Sequence, residues 1–149
     1  RYGFIREAWI ERSLELWSWL AAAVREEGAI LVLENVYEQG PGEMEVLFRN
    51  LEQWGVGFCL DTGHQAVYGS VPVARWVESL APYLFQLHLH DNTGAADDHL
   101  ALGRGSIDFR ALMGDLKRKM PSPPLITLEP HREEDLWPSI EYLEQIWPW

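Results

Sequence analysis

Four short apolar runs each end in a side chain able to hold a cation or move a proton. Residues 29–33 exit at Glu34-Asn35, and residues 57–60 exit at Asp61, with Thr62-Gly63-His64 directly behind it. Residues 84–87 exit at His88-Leu89-His90-Asp91, and residues 125–128 at Glu129-Pro130-His131. Glu34, Asp61 and His88 are spaced by 27 and 27 residues; 41 separate His88 from Glu129, because a polar loop is inserted at 92–105. About 30 residues is the length of one strand with its crossover helix. If consecutive strands are neighbours, Glu34, Asp61, His88 and Glu129 converge. Three carboxylates and an imidazole that close repel one another unless a cation sits among them. A divalent metal resolves the conflict, and oxygen-rich ligation with one nitrogen suits Mn²⁺, Mg²⁺, Co²⁺ or Zn²⁺. Asp97 and His99 in the loop, together with His64, are expected to form a second metal centre or to hold substrate.

Other residues take plainer readings. All five histidines follow a strand or lie in the inserted loop, and none falls in an expected helix. His90, at the end of its strand, is read as structural and pointing away from the centre. His131, after Pro130, is read as a surface residue or one backing the site. Cys59 inside its strand is expected to be an inert core thiol. Most of the eight Trp residues fall at helical core positions.

The elements that must position these groups alternate in type. Residues 4–27 read as a helix, because Ile10, Leu14, Trp17, Ala21 and Val24 share one face, and Gly28 ends it. A first strand follows over 29–34. Met44, Leu47, Leu51 and Trp54 form the next helical stripe, closed by Gly55. The second strand ends at Asp61, and Tyr68-Gly69-Ser70 reads as loop. Ser70 is expected to cap the next helix, with Pro72 in its first turn and Val73, Trp76, Leu80 and Leu84 along its stripe. The third strand runs to His88. Asp108 is a plausible N-cap, flanked by Ile107 and Leu112 as a hydrophobic staple. After Pro121–Pro124 comes the fourth strand, to Glu129, then a helix with Leu136, Ile140, Leu143 and Trp147 in line. Strands alternating with helices predict an α/β fold with a parallel sheet and right-handed crossovers. In such sheets the working groups gather at the carboxyl ends of the strands.

Composition narrows the function. A chain of 149 residues is about one domain. The net charge of −11 argues against nucleic acid as a partner, because phosphate contacts draw on Lys and Arg. One cysteine excludes an internal disulfide and suits a reducing, cytoplasmic compartment. No apolar run approaches a membrane span of about 18 residues, and no signal peptide pattern opens the chain. The chain begins at Arg1 rather than Met, which reads as a fragment, a processed product or a shortened form.

The segments Glu34-Asn35, Asp61-Thr62-Gly63-His64, His88-Leu89-His90-Asp91, residues 97–105 and Leu128-Glu129 resemble the C-terminal half of the xylose isomerase-like TIM barrels. That superfamily holds sugar and sugar-phosphate isomerases and epimerases, and also endonuclease IV. The resemblance runs from the helix before the fifth barrel strand to the eighth helix. It implies that Glu34, Asp61, His88 and Glu129 are metal ligands. It also implies that Glu34 and Glu129 are the acid/base pair of a sugar isomerase or epimerase, needing no nucleotide cofactor. In the epimerase branch His64 would contact substrate; in the endonuclease branch His64, Asp97 and His99 would ligate a further metal. Gly103-Arg104-Gly105 departs from the family's usual Gly-Glu-Gly, a charge reversal at the rim. The acidic chain, and the loop running into Ile107-Asp108-Phe109, favour the sugar branch over an abasic-DNA phosphodiesterase.

The expected unit is therefore one (βα)4 half-barrel over 1–149, a helix at 4–27 followed by four βα units. An eight-stranded barrel takes roughly 200 residues or more. Four open strands would expose two edges and an apolar inner face. Closure is expected from self-association or from an N-terminal half, with an inactive metal-binding half-barrel as the non-enzymatic reading.

Overall fold

The structure is a computed structural model and describes residues 3–149. Its four strands, β1 (Val32–Glu34), β2 (Gly57–Asp61), β3 (Leu84–Leu89) and β4 (Leu125–Leu128), form one sheet in chain order. Every pairing is parallel. Helix α1 (Gly3–Glu26) precedes β1, and α2 (Gly42–Leu51) joins β1 to β2. Two helices, α3 (Thr62–Tyr68) and α4 (Val73–Leu80), lie between β2 and β3. Helix α5 (Phe109–Lys119) lies between β3 and β4, and α6 (Leu136–Ile146) closes the order.

The helices follow the expected stripes. In α1, Ile10, Leu14, Trp17 and Ala21 face the core. Gly28 takes the left-handed conformation (φ 76°) that ends α1, with its N–H on the Arg25 carbonyl. Asp108 caps α5, its side chain accepting from Ala111 N at 2.9 Å. The core lies between the sheet and the helices. Phe58, Leu60, Leu87 and Leu89 point into it and meet Phe48, Leu51, Trp76, Leu80, Phe109 and Leu112, all buried. Each such side chain contributes about 1.5–3 kcal/mol, so this layer holds the strand mouths in place.

Several expectations on the elements change. The ladder of β1 begins only at Val32, opposite Gly57, so residues 29–31 lie outside the strand. Strand β3 runs one residue further, to Leu89. Ser70 caps no helix: its hydroxyl donates to the Gln39 carbonyl, and Pro72 holds the N-cap position of α4. Helix α3 falls where a turn and loop were expected, so His64 sits on a helix after all. Its cap is Asp61, whose carboxylate accepts from His64 N at 2.7 Å.

The sheet is covered by helices on one face only. On the other face Ile30, Phe85 and Leu125 are 55%, 43% and 67% exposed. Phe85 is the extra residue where the β2–β3 register slips, between Phe58↔Leu84 and Cys59↔Gln86. Its ring lies over Gly57, where a Cβ would stand 2.7 Å from it. The uncovered face carries Cys59, Asp61, His88 and Glu129 toward its upper end, because alternate strand residues share a face.

Candidate metal centre

Side-chain to backbone bonds tie each strand mouth to the next. Asn35 is buried at the end of β1; its amide donates to Asp61 O at 3.0 Å and accepts from Asp61 N at 2.9 Å. Thr62 donates its hydroxyl to His88 O at 3.1 Å. Asn92, also buried, donates to Gly63 O at 3.0 Å. His99 Nδ1 reaches Glu129 O at 2.7 Å. The mouths are thus locked laterally, and the ionisable groups hang from a rigid rim.

The structure brings the four expected ligands together around His88 Nδ1. Glu129 Oε1 lies 3.2 Å from it, Glu34 Oε2 3.3 Å and Asp61 Oδ2 3.8 Å. Ligands bound at about 2.0–2.2 Å stand roughly 3.0–3.6 Å apart around an ion; the two glutamates fall in that range of His88 Nδ1, and Asp61 stands slightly beyond it. Both glutamates lie within 3.3 Å of one nitrogen, far less than a nanometre from each other. Hydrogen bonding to Glu34 raises the His88 pKa; burial opposes this, and the charges of Glu129, Glu34 and Asp61 add to it. Burial works against the Asp61 charge, but the His90 bond, the His64 N–H and the proximity of the two rings outweigh it and lower its pKa. Cys59 lies below this cluster; burial first, then Glu34, Asp61 and Glu129, push its thiol far up. It is buried as expected, but its sulfur lies within 4.8 Å of donor atoms of Glu34 and His88.

His64, Asp97 and His99 also meet. His64 Nε2 and His99 Nε2 each lie 3.4 Å from Asp97 Oδ2. A carbonyl only accepts, so the contact of His64 Nδ1 with Asn35 O (3.0 Å) and that of His99 Nδ1 with Glu129 O place a proton on each Nδ1. Both rings therefore turn Nε2 toward one carboxylate. Asp97 Oδ1 is buried without a hydrogen-bond partner. Two imidazole nitrogens 3.4 Å from one carboxylate oxygen, about the edge length of a tetrahedral zinc site, fit a second ion. His99 adopts φ 49° to reach this position, at a cost of about 1–2 kcal/mol.

His90 is the main correction. Residues two apart on a strand share a face, so His90 follows His88 inward instead of turning away. It is fully buried, and its Nε2 lies 3.1 and 3.2 Å from the two Asp61 oxygens. His131 is exposed and stacks on His99 with centroids 3.9 Å apart.

Asp91 was missed as more than part of a strand exit. It is buried, and its carboxylate accepts from the N–H groups of Asn92, Gly103, Gly105 and Ile107 at 2.8–3.2 Å. That one side chain folds the loop carrying Asp97 and His99. The Gly-Arg-Gly segment is explained by the same contact. A Cβ at Gly105 would stand 2.3 Å from Asp91 Oδ1 and 2.2 Å from Asn92 O, while Arg104 between the glycines is exposed. An acid directly before a glycine-rich loop was the available signal.

A parallel four-stranded sheet with its acids and imidazoles at the carboxyl ends of the strands is half of a TIM barrel. The chain belongs to the xylose isomerase-like TIM barrel family, whose profile matches residues 3–146. The uncharacterized protein MJ1614 of Methanocaldococcus jannaschii is 29% identical over 130 residues, 83% of this chain and 49% of that protein. Among solved structures, a D-tagatose 3-epimerase-like protein superposes with a TM-score of 0.81 at 24% identity, covering 92% of this chain and 54% of that one. The TTHB071 protein from Thermus thermophilus, soaked with ZnCl2, superposes with a TM-score of 0.77 at 28% identity, covering 95% of this chain and 55% of that one. The chain thus spans about half the length of the relatives it matches.

Proposed function

We propose that the chain is the metal-binding half of a sugar or sugar-phosphate isomerase or epimerase. The observation that carries the reading is the pair of half-exposed carboxylates, Glu34 and Glu129, placed with His88 and Asp61 at one open mouth. A bound divalent ion would polarise a sugar carbonyl and its neighbouring hydroxyl, acidifying the C–H between them. Glu34, Asp61, His88 and Glu129 are the proposed ligands. One glutamate takes the proton from carbon, and the other returns a proton to the same carbon or its neighbour. The first outcome is an epimer, the second an aldose–ketose pair. Asp61, fully buried and held charged by its bonds to His90 and His64 N, orients the cluster. His64, Asp97 and His99 hold substrate or a further ion. The epimerase-like and zinc-soaked relatives support this reading.

Metal analysis of protein purified without chelator, followed by NMR of ketoses and aldoses in D2O, tests it. The expected result is bound divalent metal, with metal-dependent deuterium uptake next to the carbonyl. Bound metal with no exchange on any sugar would point to an inactive metal-binding half-barrel. Cleavage of abasic-site DNA would favour the hydrolase reading, which the arrangement around Asp97 also suits.

Activity requires the uncovered face to be closed. The exposed Ile30, Phe85 and Leu125, and the unpaired outer edges of β1 and β4, call for four further strands. Helix α1 adds exposed Ile5, Leu16 and Trp19 on its outer side. We infer that the chain pairs with a second half-barrel, either another copy about a two-fold axis or an N-terminal half. Sedimentation at micromolar concentration should show a dimer of the chain alone. A well-folded monomer would rule out self-association.

A further inference from the structure

His90 belongs to neither proposed ligand set, yet it touches both. Its Nε2 meets both oxygens of Asp61 at 3.1 and 3.2 Å, while its Nδ1 lies 3.7 Å from Asp97 Oδ1. Both Nδ1 and Asp97 Oδ1 are buried without a hydrogen-bond partner. His90 therefore invites reading as a fourth ligand beside His64, Asp97 and His99, whose donor atoms lie within 4.8 Å of one another and of its own.

Ring geometry argues against that assignment. The His90 and His99 rings are parallel to within 1°, with centroids 3.6 Å apart. An imidazole nitrogen donates in its ring plane. An ion shared by two such rings would stand about 1.8 Å out of each plane, with bonds of only about 2.0–2.1 Å. Its bonds would then leave the ring planes steeply. His99, whose Nδ1 is anchored on Glu129 O, is free to use Nε2; His90 serves as the floor beneath its ring. What His90 does chemically passes through Nε2. Both Asp61 oxygens face Nε2 and a carboxylate accepts, so Nε2 carries the proton and donates it.

We propose that His90 is the positioning residue of the first cluster: its Nε2–H fixes the Asp61 carboxylate so that Asp61 Oδ2 faces His88. The proposal rests on the metal reading above. Hydrogen-bond partners behind metal ligands are worth about 10–100-fold in metal affinity. Gly63 is the space that admits the ring, since a Cβ there would stand 1.9 Å from His90 Cε1. Gly63 therefore belongs to the same device, although it holds no ion.

Calorimetric titration of the chelator-stripped chain with Zn²⁺ tests this on wild type, His90→Gln, His90→Asn and Gly63→Ala. Glutamine carries its NH2 to about the reach of Nε2, whereas asparagine reaches only as far as Nδ1. Asparagine should weaken the first binding step about 10–100-fold, with glutamine staying near wild type. Gly63→Ala, which favours the helix but displaces the ring, should resemble asparagine. Equal affinity in all four proteins, or equal losses with glutamine and asparagine, would overturn the proposal. A wild-type long-range ¹H–¹⁵N spectrum should show His90 protonated on Nε2; a proton on Nδ1 would overturn it without any variant. If wild type takes up no ion, the metal reading falls, and the tautomer alone decides whether His90 holds Asp61.

Discussion

Zinc or cobalt affinity of the first cluster should rise with pH, by up to about tenfold per pH unit, until pH passes the raised folded pKa of His88. The cause is competition for one nitrogen. Glu34, Glu129 and Asp61 surround His88 Nδ1 and raise its pKa, so the ion-free cluster holds a proton where the ion would bind. Each ion bound at low pH must expel that proton. Stability of the ion-free protein should move the other way. A raised folded pKa gives His88 a stabilising contribution that is complete below its unfolded value, ordinarily about 6.5. That contribution is lost as pH rises through the folded value. Asp61 does not confuse the window. Its pKa is lowered, so its contribution is present above the ordinary carboxylate value and is lost only as pH falls through the lower folded one. Thermal melts in chelator and in excess zinc at pH 5.5 and 8 measure both trends. The zinc-induced rise in Tm should be small at the lower pH and large at the higher. A pH-independent affinity would show that His88 does not compete with the ion, and His88→Asn should flatten the slope.

The four mouths were legible because parallel strands leave a strong trace: an apolar run, then an abrupt ionisable residue, at the period of a βα unit. The exits of β2 and β3 stand side by side, with His88 opposite Asp61 in the ladder. Helix α3 was not legible. Seven residues, Thr62 to Tyr68, are too short to show a 3.6-residue period, and the cue was Asp61 acting as its cap. His90 was misread for a simpler reason. Residues two apart on a strand share a face, so instead of pointing away from the centre it is both buried and part of the site. The roles of Asn35, Asn92 and Asp91 lie in bonds to backbone groups 12 to 29 residues away. Such bonds have no periodic trace, and only the folded chain shows which carbonyl or N–H is near. The second cluster was legible as residue types, while the orientation of its two rings follows from carbonyls that the sequence does not locate.

Replacing Glu34 or Glu129 by glutamine should each reduce interconversion of the two sugars by about 10²–10⁴-fold while leaving the ion bound. A glutamine oxygen can still coordinate, but it cannot take a proton from carbon. The two variants should differ in which sugar they still activate. The glutamates approach His88 Nδ1 from β1 and from β4, the two outer strands of the sheet. A substrate lying over the mouth therefore presents opposite ends or faces to them. If Glu34 serves one isomer and Glu129 the other, Glu34→Gln stops deuterium exchange into the first and spares exchange into the second. Glu129→Gln shows the reverse. Each variant then becomes a one-sided enzyme, exchanging protons with solvent without delivering the product. Loss of exchange into both isomers in both variants, with zinc content unchanged, would mean that a single base serves both directions and that the other glutamate only holds the ion. Unchanged turnover in either variant would remove that residue from the proton path altogether. Carboxylates reaching one nitrogen from the two outer strands are what a two-base mechanism requires, whereas a single-base mechanism leaves the second glutamate only the ion to hold.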